Sequence, residues 1–167
     1  MRDRLLLPTL VLFGTIAACV PAPVTPALSH PVRAEKGSAP FRRSGQVMVV
    51  EATLNRRVKA NLLVDTGSDL TIIPSAAAKE LEIILHTKLP TIRLQTMADS
   101  VRVPLVVLDS LEVGGMEVTN VTVAVHDSPI FDPRLPGPPG LLGRDFLSHF
   151  RVQIDLKEGF LRLEKRE

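Results

Sequence analysis

Apolar and polar positions divide this chain into three stretches of different texture. Leu5 to Ala18 is almost wholly apolar. About fourteen such residues are too few for a comfortable membrane span and suit the core of a signal peptide. From Val20 to about Pro40 neither a period of two nor one of 3.6 survives. Pro21, Pro23, Pro26, Pro31 and Pro40 are spaced through this stretch with Ala, Ser and Thr between them. That is the composition of a flexible to semi-extended linker. From Gln46 onward the chain becomes a series of short apolar runs separated by turn residues, the pattern of strands.

The runs predict elements in order. Gln46 to Ala52 is a strand, Asn55-Arg56 a turn, and Arg57 to Val64 the returning strand of a hairpin. Leu70 to Ile73 is a short buried strand stopped by Pro74. Ser75 is a good N-cap for a helix over Ala76 to Leu81. Ile83 to Leu85 is apolar but too short to assign. Thr91 to Gln95 and Val101 to Leu108 are rich in β-branched residues and read as strands. Pro104 argues for an edge position, and Thr96 to Ser100 has the form of a hairpin tip. Ser110 to Val113, Gly114-Gly115 and Met116 to Val125 form the strongest hairpin signal, because Gly-Gly suits turns with positive φ. Five prolines make Asp127 to Gly140 a loop. Leu141-Leu142-Gly143 re-enters the core and Arg144 to His149 is a short helix. Phe150 to Leu156, a turn at Glu158-Gly159 and Phe160 to Leu163 close the domain. Many short strands with one or two short helices predict a mostly β, barrel-like fold.

Composition narrows the function classes. The 167 residues suffice for one domain, and 45% hydrophobic with 23% charged residues permits a core. A net charge of +2, with no Trp and no Tyr, argues against nucleic acid as a partner. The single cysteine rules out an internal disulfide. His30, His86, His126 and His149 show no ligand spacing, so metal hydrolysis and a metal cofactor have no support. There is no Gly-x-Ser-x-Gly and no phosphate loop.

The candidate chemistry lies in Leu62-Leu63-Val64-Asp65-Thr66-Gly67-Ser68-Asp69. An apolar run ends in an acid, a hydroxyl and a glycine, which places Asp65 where a buried strand stops. Gly67 lets the backbone turn or approach another chain closely. Asp-Thr-Gly is also a good surface turn, so the triplet alone leaves a plain structural reading open.

With their flanks, Val64 to Ser68 and Leu70-Thr71-Ile72-Ile73-Pro74 resemble the active-site segment of aspartic proteases. Gly140-Leu141-Leu142-Gly143-Arg144-Asp145-Phe146-Leu147 resembles the apolar-apolar-Gly-Arg-Asp/Asn segment of the retroviral type. The resemblance runs from about Gln46 to the C-terminus. It implies a single-domain retropepsin-like closed β barrel over 41–167 that hydrolyses peptide bonds without a cofactor. Asp65 is then the catalytic acid, supported by Thr66, Gly67, Ser68, Asp69 and Arg144. Thr66 would bond across the two-fold, Ser68 would donate or accept beside the carboxylate, and Asp69 would pair with Arg144. Met97, Ala98 and Asp99 fall where this family carries a substrate-covering flap, although the usual tip glycine is missing. Aspartic proteolysis needs two carboxylates sharing a proton. Pepsin-like chains carry two Asp-Thr/Ser-Gly segments; here Asp99, Asp109 and Asp127 are followed by Ser and then by Val, Leu and Pro. The resemblance therefore implies a homodimer with one Asp65 from each chain.

Ile16-Ala17-Ala18-Cys19 resembles a bacterial lipobox. It implies a signal peptide over 1–18, then a lipidated Cys19 and a tether over 19–40. The protein would sit at the periplasmic face of a membrane, and Val20 after the cysteine favours the outer one. An ordinary cleaved signal near Ala18 or Ala22 is the plainer alternative. The rival reading of the domain is a lipid-anchored β barrel that binds peptide or protein without cutting it.

Overall fold

The computed structural model describes residues 35–44, 46–86, 88–95, 100–127 and 137–166. In chain order these form β1 (Lys36–Ser44), β2 (Val47–Leu54), β3 (Val58–Val64), β4 (Ile72–Ile73), α1 (Ser75–Glu80), β5 (Thr91–Gln95) and β6 (Ser100–Val113). β7 (Met116–Val125), β8 (Gly140–Leu142), α2 (Arg144–Leu147), β9 (Phe150–Asp155) and β10 (Phe160–Lys165) follow.

Six strands close into a ring. The neighbours run β6–β7–β4–β8–β3–β2, and β2 returns to β6 through Thr53↔Glu112 and Leu54↔Leu111. Closure removes free edges from the ring. Alternate residues fill it: Val50, Ala52 and Leu54 of β2, Val58, Ala60 and Leu62 of β3, and Leu108, Val121 and Val123 of β6 and β7. Two hairpin turns set the register. Gly114 and Gly115 have φ of 60° and 85°, and Asn55 and Arg56 of 47° and 57°. Both pairs lie in the left-handed region that a two-residue hairpin turn requires. Arg56 takes that conformation while its Nη2 donates to Glu117, a buried residue, at 2.5 Å.

Outside the ring β1, β10 and β9 add in that order beyond β2, and β5 adds beyond β6. Phe146 and Phe150 lie fully buried here with ring centroids 5.0 Å apart.

Several boundaries differ from the sequence reading. Lys36 to Pro40, read as the end of the tether, pair with β10. Pro40 sits where β1 changes partner, since Phe41 already pairs with β2, so its missing N–H breaks no continuous ladder. Val101–Leu108 and Ser110–Val113 are one strand, because Asp109 simply faces solvent from the outer side. Pro104 is not on an edge strand, as β6 lies between β5 and β7. The neighbouring Leu105 amide donates to Pro90 on the β5 side. The Pro104 nitrogen therefore points to the other side, beyond the last β7 pair, Leu105↔Ala124. Ser75 does not cap α1; Pro74 holds that position. The Ser75 amide instead donates to Asp127 Oδ1 at 2.8 Å. Helix α2 stops at Leu147, a single turn.

Candidate active site

Strand β3 delivers Asp65. It lies between β2 and β8, with Leu62 and Leu63 buried and Val64 opposite Leu142. The Asp65 amide donates to the Leu142 carbonyl at 3.1 Å, one residue beyond the strand. The chain then turns. The Gly67 amide donates to Asp65 Oδ1 at 2.9 Å, the local bond by which an aspartate builds its own turn. Asp65 is half-buried, whereas Thr66 and Gly67 are exposed. A carboxylate is thus held at the end of a packed strand with one oxygen on a backbone amide.

The remaining predicted support residues fall in or beside this loop. The Ser68 hydroxyl turns away from the carboxylate and donates to the Leu70 carbonyl at 2.9 Å. Asp69 and Arg144 form an exposed ion pair, which contributes little to stability. The Thr66 hydroxyl has no hydrogen-bond partner among the described residues. An open groove of about 860 Å³ begins at Thr66 and runs over Arg144, Leu147, Ser148 and Arg151 towards Glu164 and Arg166. Strands β5 and β6 pair as a hairpin down to Gln95↔Ser100. Its tip, with Met97, Ala98 and Asp99, lies outside the described residues, as does Cys19.

Sequence reasoning missed two residues, Thr71 and Asp145. Thr71 is completely buried. Its amide donates to Asp145 Oδ2 at 2.8 Å and its hydroxyl to Asp145 Oδ1 at 2.6 Å. The same hydroxyl oxygen accepts from the Gly143 amide at 3.1 Å. Burial pushes the Asp145 carboxyl above the ordinary aspartate range, against the opposing pull of its bonds to Thr71 and Phe146. The signal was a threonine inside the apolar run Leu70–Ile73, since a buried polar side chain needs a partner.

Two further amides tie α2 to the loop: Arg144 N–H to the Ser68 carbonyl at 2.8 Å, and Asp145 N–H to the Asp69 carbonyl at 3.2 Å. Gly143 makes this possible. Its φ of −94° suits any residue. A Cβ there, however, would lie 2.5 Å from the Leu70 carbonyl carbon and 2.9 Å from the Thr71 nitrogen. Glycine is required because two backbones touch.

The family model for aspartyl proteases matches residues 50–146, more than half the chain and inclusive of Asp65, Thr71, Gly143 and Asp145. Among solved structures, a retropepsin-like aspartic protease from Rickettsia conorii superposes with a TM-score of 0.57 at 25% identity. The match covers 82% of this chain and 94% of that one. No curated protein matches the sequence. A closed six-strand barrel, an Asp-Thr-Gly loop at the end of a buried strand and this family match together place the chain in the aspartyl protease family, with the retropepsin-like fold.

Proposed function

We propose that the protein is an aspartic endopeptidase acting as a homodimer, with one Asp65 from each chain. The observation that carries this is a half-buried Asp65 whose loop presents an exposed Thr66, its hydroxyl without a partner among the described residues, beside an open groove. A second copy seated on that surface brings the two loops together across a two-fold axis, the symmetry of most homodimers. Thr66 then bonds across the axis and holds the loops level.

Two carboxylates at hydrogen-bond distance share one proton, because two adjacent negative charges repel. The ionised member takes a proton from a water, whose oxygen attacks the scissile carbonyl carbon. The protonated member donates to the carbonyl oxygen. The resulting tetrahedral diol breaks its C–N bond as a proton passes to the departing amine. The Gly67 amide on Oδ1 fixes each carboxylate for this transfer, which requires geometry more than further groups.

The test is a peptide-library digest with wild type and Asp65→Asn, with a pepstatin-type inhibitor alongside and sedimentation for mass. Cleavage by wild type, its loss in the variant and a dimer mass for both support the reading. Wild-type protein that cuts nothing from acid to neutral pH favours the non-catalytic binding module.

The reading extends to location. Cys19 carries acyl chains at the periplasmic face of a bacterial membrane, the outer membrane favoured. Sixteen residues, Val20 to Glu35, separate it from β1. They span at most ~50 Å in polyproline form, so two copies in one leaflet can meet. Palmitate labelling that is unchanged in Cys19→Ser would remove this part alone.

A further inference from the structure

Asp145 takes no part in the chemistry set out above, yet it is the acid most closely bound to the catalytic loop. Its carboxylate accepts three donors: the Thr71 amide at 2.8 Å, the Thr71 hydroxyl at 2.6 Å and the Phe146 amide at 2.9 Å. The Thr71 hydroxyl has one proton. Because it donates that proton to Asp145, its oxygen is left to accept from Gly143 N–H. The direction of every bond in the cluster is therefore set by the acceptor character of Asp145.

The segment Asp65–Thr71 is held at both ends and in the middle by the segment Leu142–Asp145. Asp65 N–H reaches Leu142, the Ser68 and Asp69 carbonyls take the first amides of α2, and Thr71 is clamped by Asp145. Of these contacts only the last uses a side chain on the α2 segment; the one other polar link from an α2 side chain to the loop among the described residues, the Arg144–Asp69 ion pair, is exposed and contributes little. The rest are backbone bonds that any sequence can offer, provided the two segments stay in register. A single helical turn has little stability of its own.

We infer that Asp145 is a positioning residue for Asp65. By clamping Thr71 it keeps the α2 segment and the catalytic loop in register, and so holds the Asp65 carboxylate level with its counterpart. The inference rests on the reading of Asp65 as the cleaving acid. A displaced reacting group costs turnover more than it costs binding, up to about a hundredfold for ~1 Å.

The experiment compares Asp145→Ala, Asp145→Asn and Thr71→Val with wild type on a peptide cleaved by wild type. Folding is checked by circular dichroism and dimer mass by sedimentation. Asp145→Ala lowers kcat about tenfold or more, with KM changed less than threefold and dimer mass intact. Asn, which keeps one acceptor oxygen, recovers part of kcat; Thr71→Val falls between. An Asp145→Ala kcat within twofold of wild type overturns the inference, as does a loss confined to KM.

A second measurement stands apart from activity and from the folding of any one variant. Amide hydrogen exchange on wild type shows Thr71 and Gly143 protected, and in Asp145→Asn exchange quickens at Thr71, Gly143 and Gly67 together. Unprotected Thr71 in wild type, or no change at Gly67 in the variant, also overturns it. Wild-type protein that cleaves no peptide sinks the proteolytic reading instead, and the exchange result still decides whether Asp145 holds the loop.

Discussion

Gly143→Ala asks whether contact between two backbones builds the site. The added Cβ meets Leu70 C at 2.5 Å, Leu70 O at 2.7 Å and Thr71 N at 2.9 Å, and all three atoms are main chain. No side-chain rotation relieves this, so the 142–145 segment must move away by something near 1 Å. The shift stretches Gly143 N–H to Thr71 Oγ1, Arg144 N–H to Ser68 O and Asp145 N–H to Asp69 O. Each such bond contributes roughly 1 kcal/mol. Overpacking by one methyl costs roughly 1–3 kcal/mol, and the three bonds are stretched rather than wholly lost, so a total near 3–5 kcal/mol is expected. For a domain of this size that lowers the melting temperature by roughly 10–15 °C. Gly137→Ala is the control, because a Cβ at Gly137 meets nothing within 4 Å. Calorimetry on both variants, with kcat on wild-type substrate, is the assay. A Gly143→Ala protein that melts within about 2 °C of the control and turns over normally refutes the close-contact account.

Other outcomes follow from the same geometry. Asp127→Ala removes the acceptor of the Ser75 amide and costs about 1 kcal/mol in chemical denaturation, whereas Ser75→Ala is neutral; the reverse order contradicts the assignment of the cap. Phe150→Ala empties a fully buried site against Phe146 and costs about 3–5 kcal/mol, a fall in melting temperature of roughly 10–15 °C; a normal melt refutes it. With its pKa raised by burial, native Asp145 keeps a proton that the unfolded chain has released only between the ordinary aspartate range and its raised native value; at higher pH it is the carboxylate that accepts from Thr71. Its contribution to stability is present at acid pH and lost as pH rises through the raised native value. Its charged neighbours Asp69 and Arg144 are exposed and paired with each other. Urea midpoints from acid to neutral pH show wild type losing stability relative to Asp145→Asn; the opposite slope refutes the sign.

Much of the fold was legible along the chain, because strands and tight turns are local. The Gly114-Gly115 hairpin and the Asn55-Arg56 turn follow from backbone preference and alternation over a few residues. Asp65 at the end of a buried strand followed from Leu62-Leu63-Val64 in the same way. What was misread depends on partners far along the sequence. Ser75 looked like a cap until Asp127 took the role from 52 residues away. Pro40 looked like tether until β10 arrived beside it.

The order of residues thus set the strands, their turns and the placing of Asp65 at a strand end, since each is decided by neighbours within a few positions. The closing of six strands into a ring, through Leu54↔Leu111, was decided in three dimensions. So was the clamp of Asp145 on Thr71, 74 residues apart. The reason is physical: a buried carboxylate and a buried hydroxyl are tolerable only once folding has placed each within hydrogen-bond reach of the other. No local pattern records that meeting.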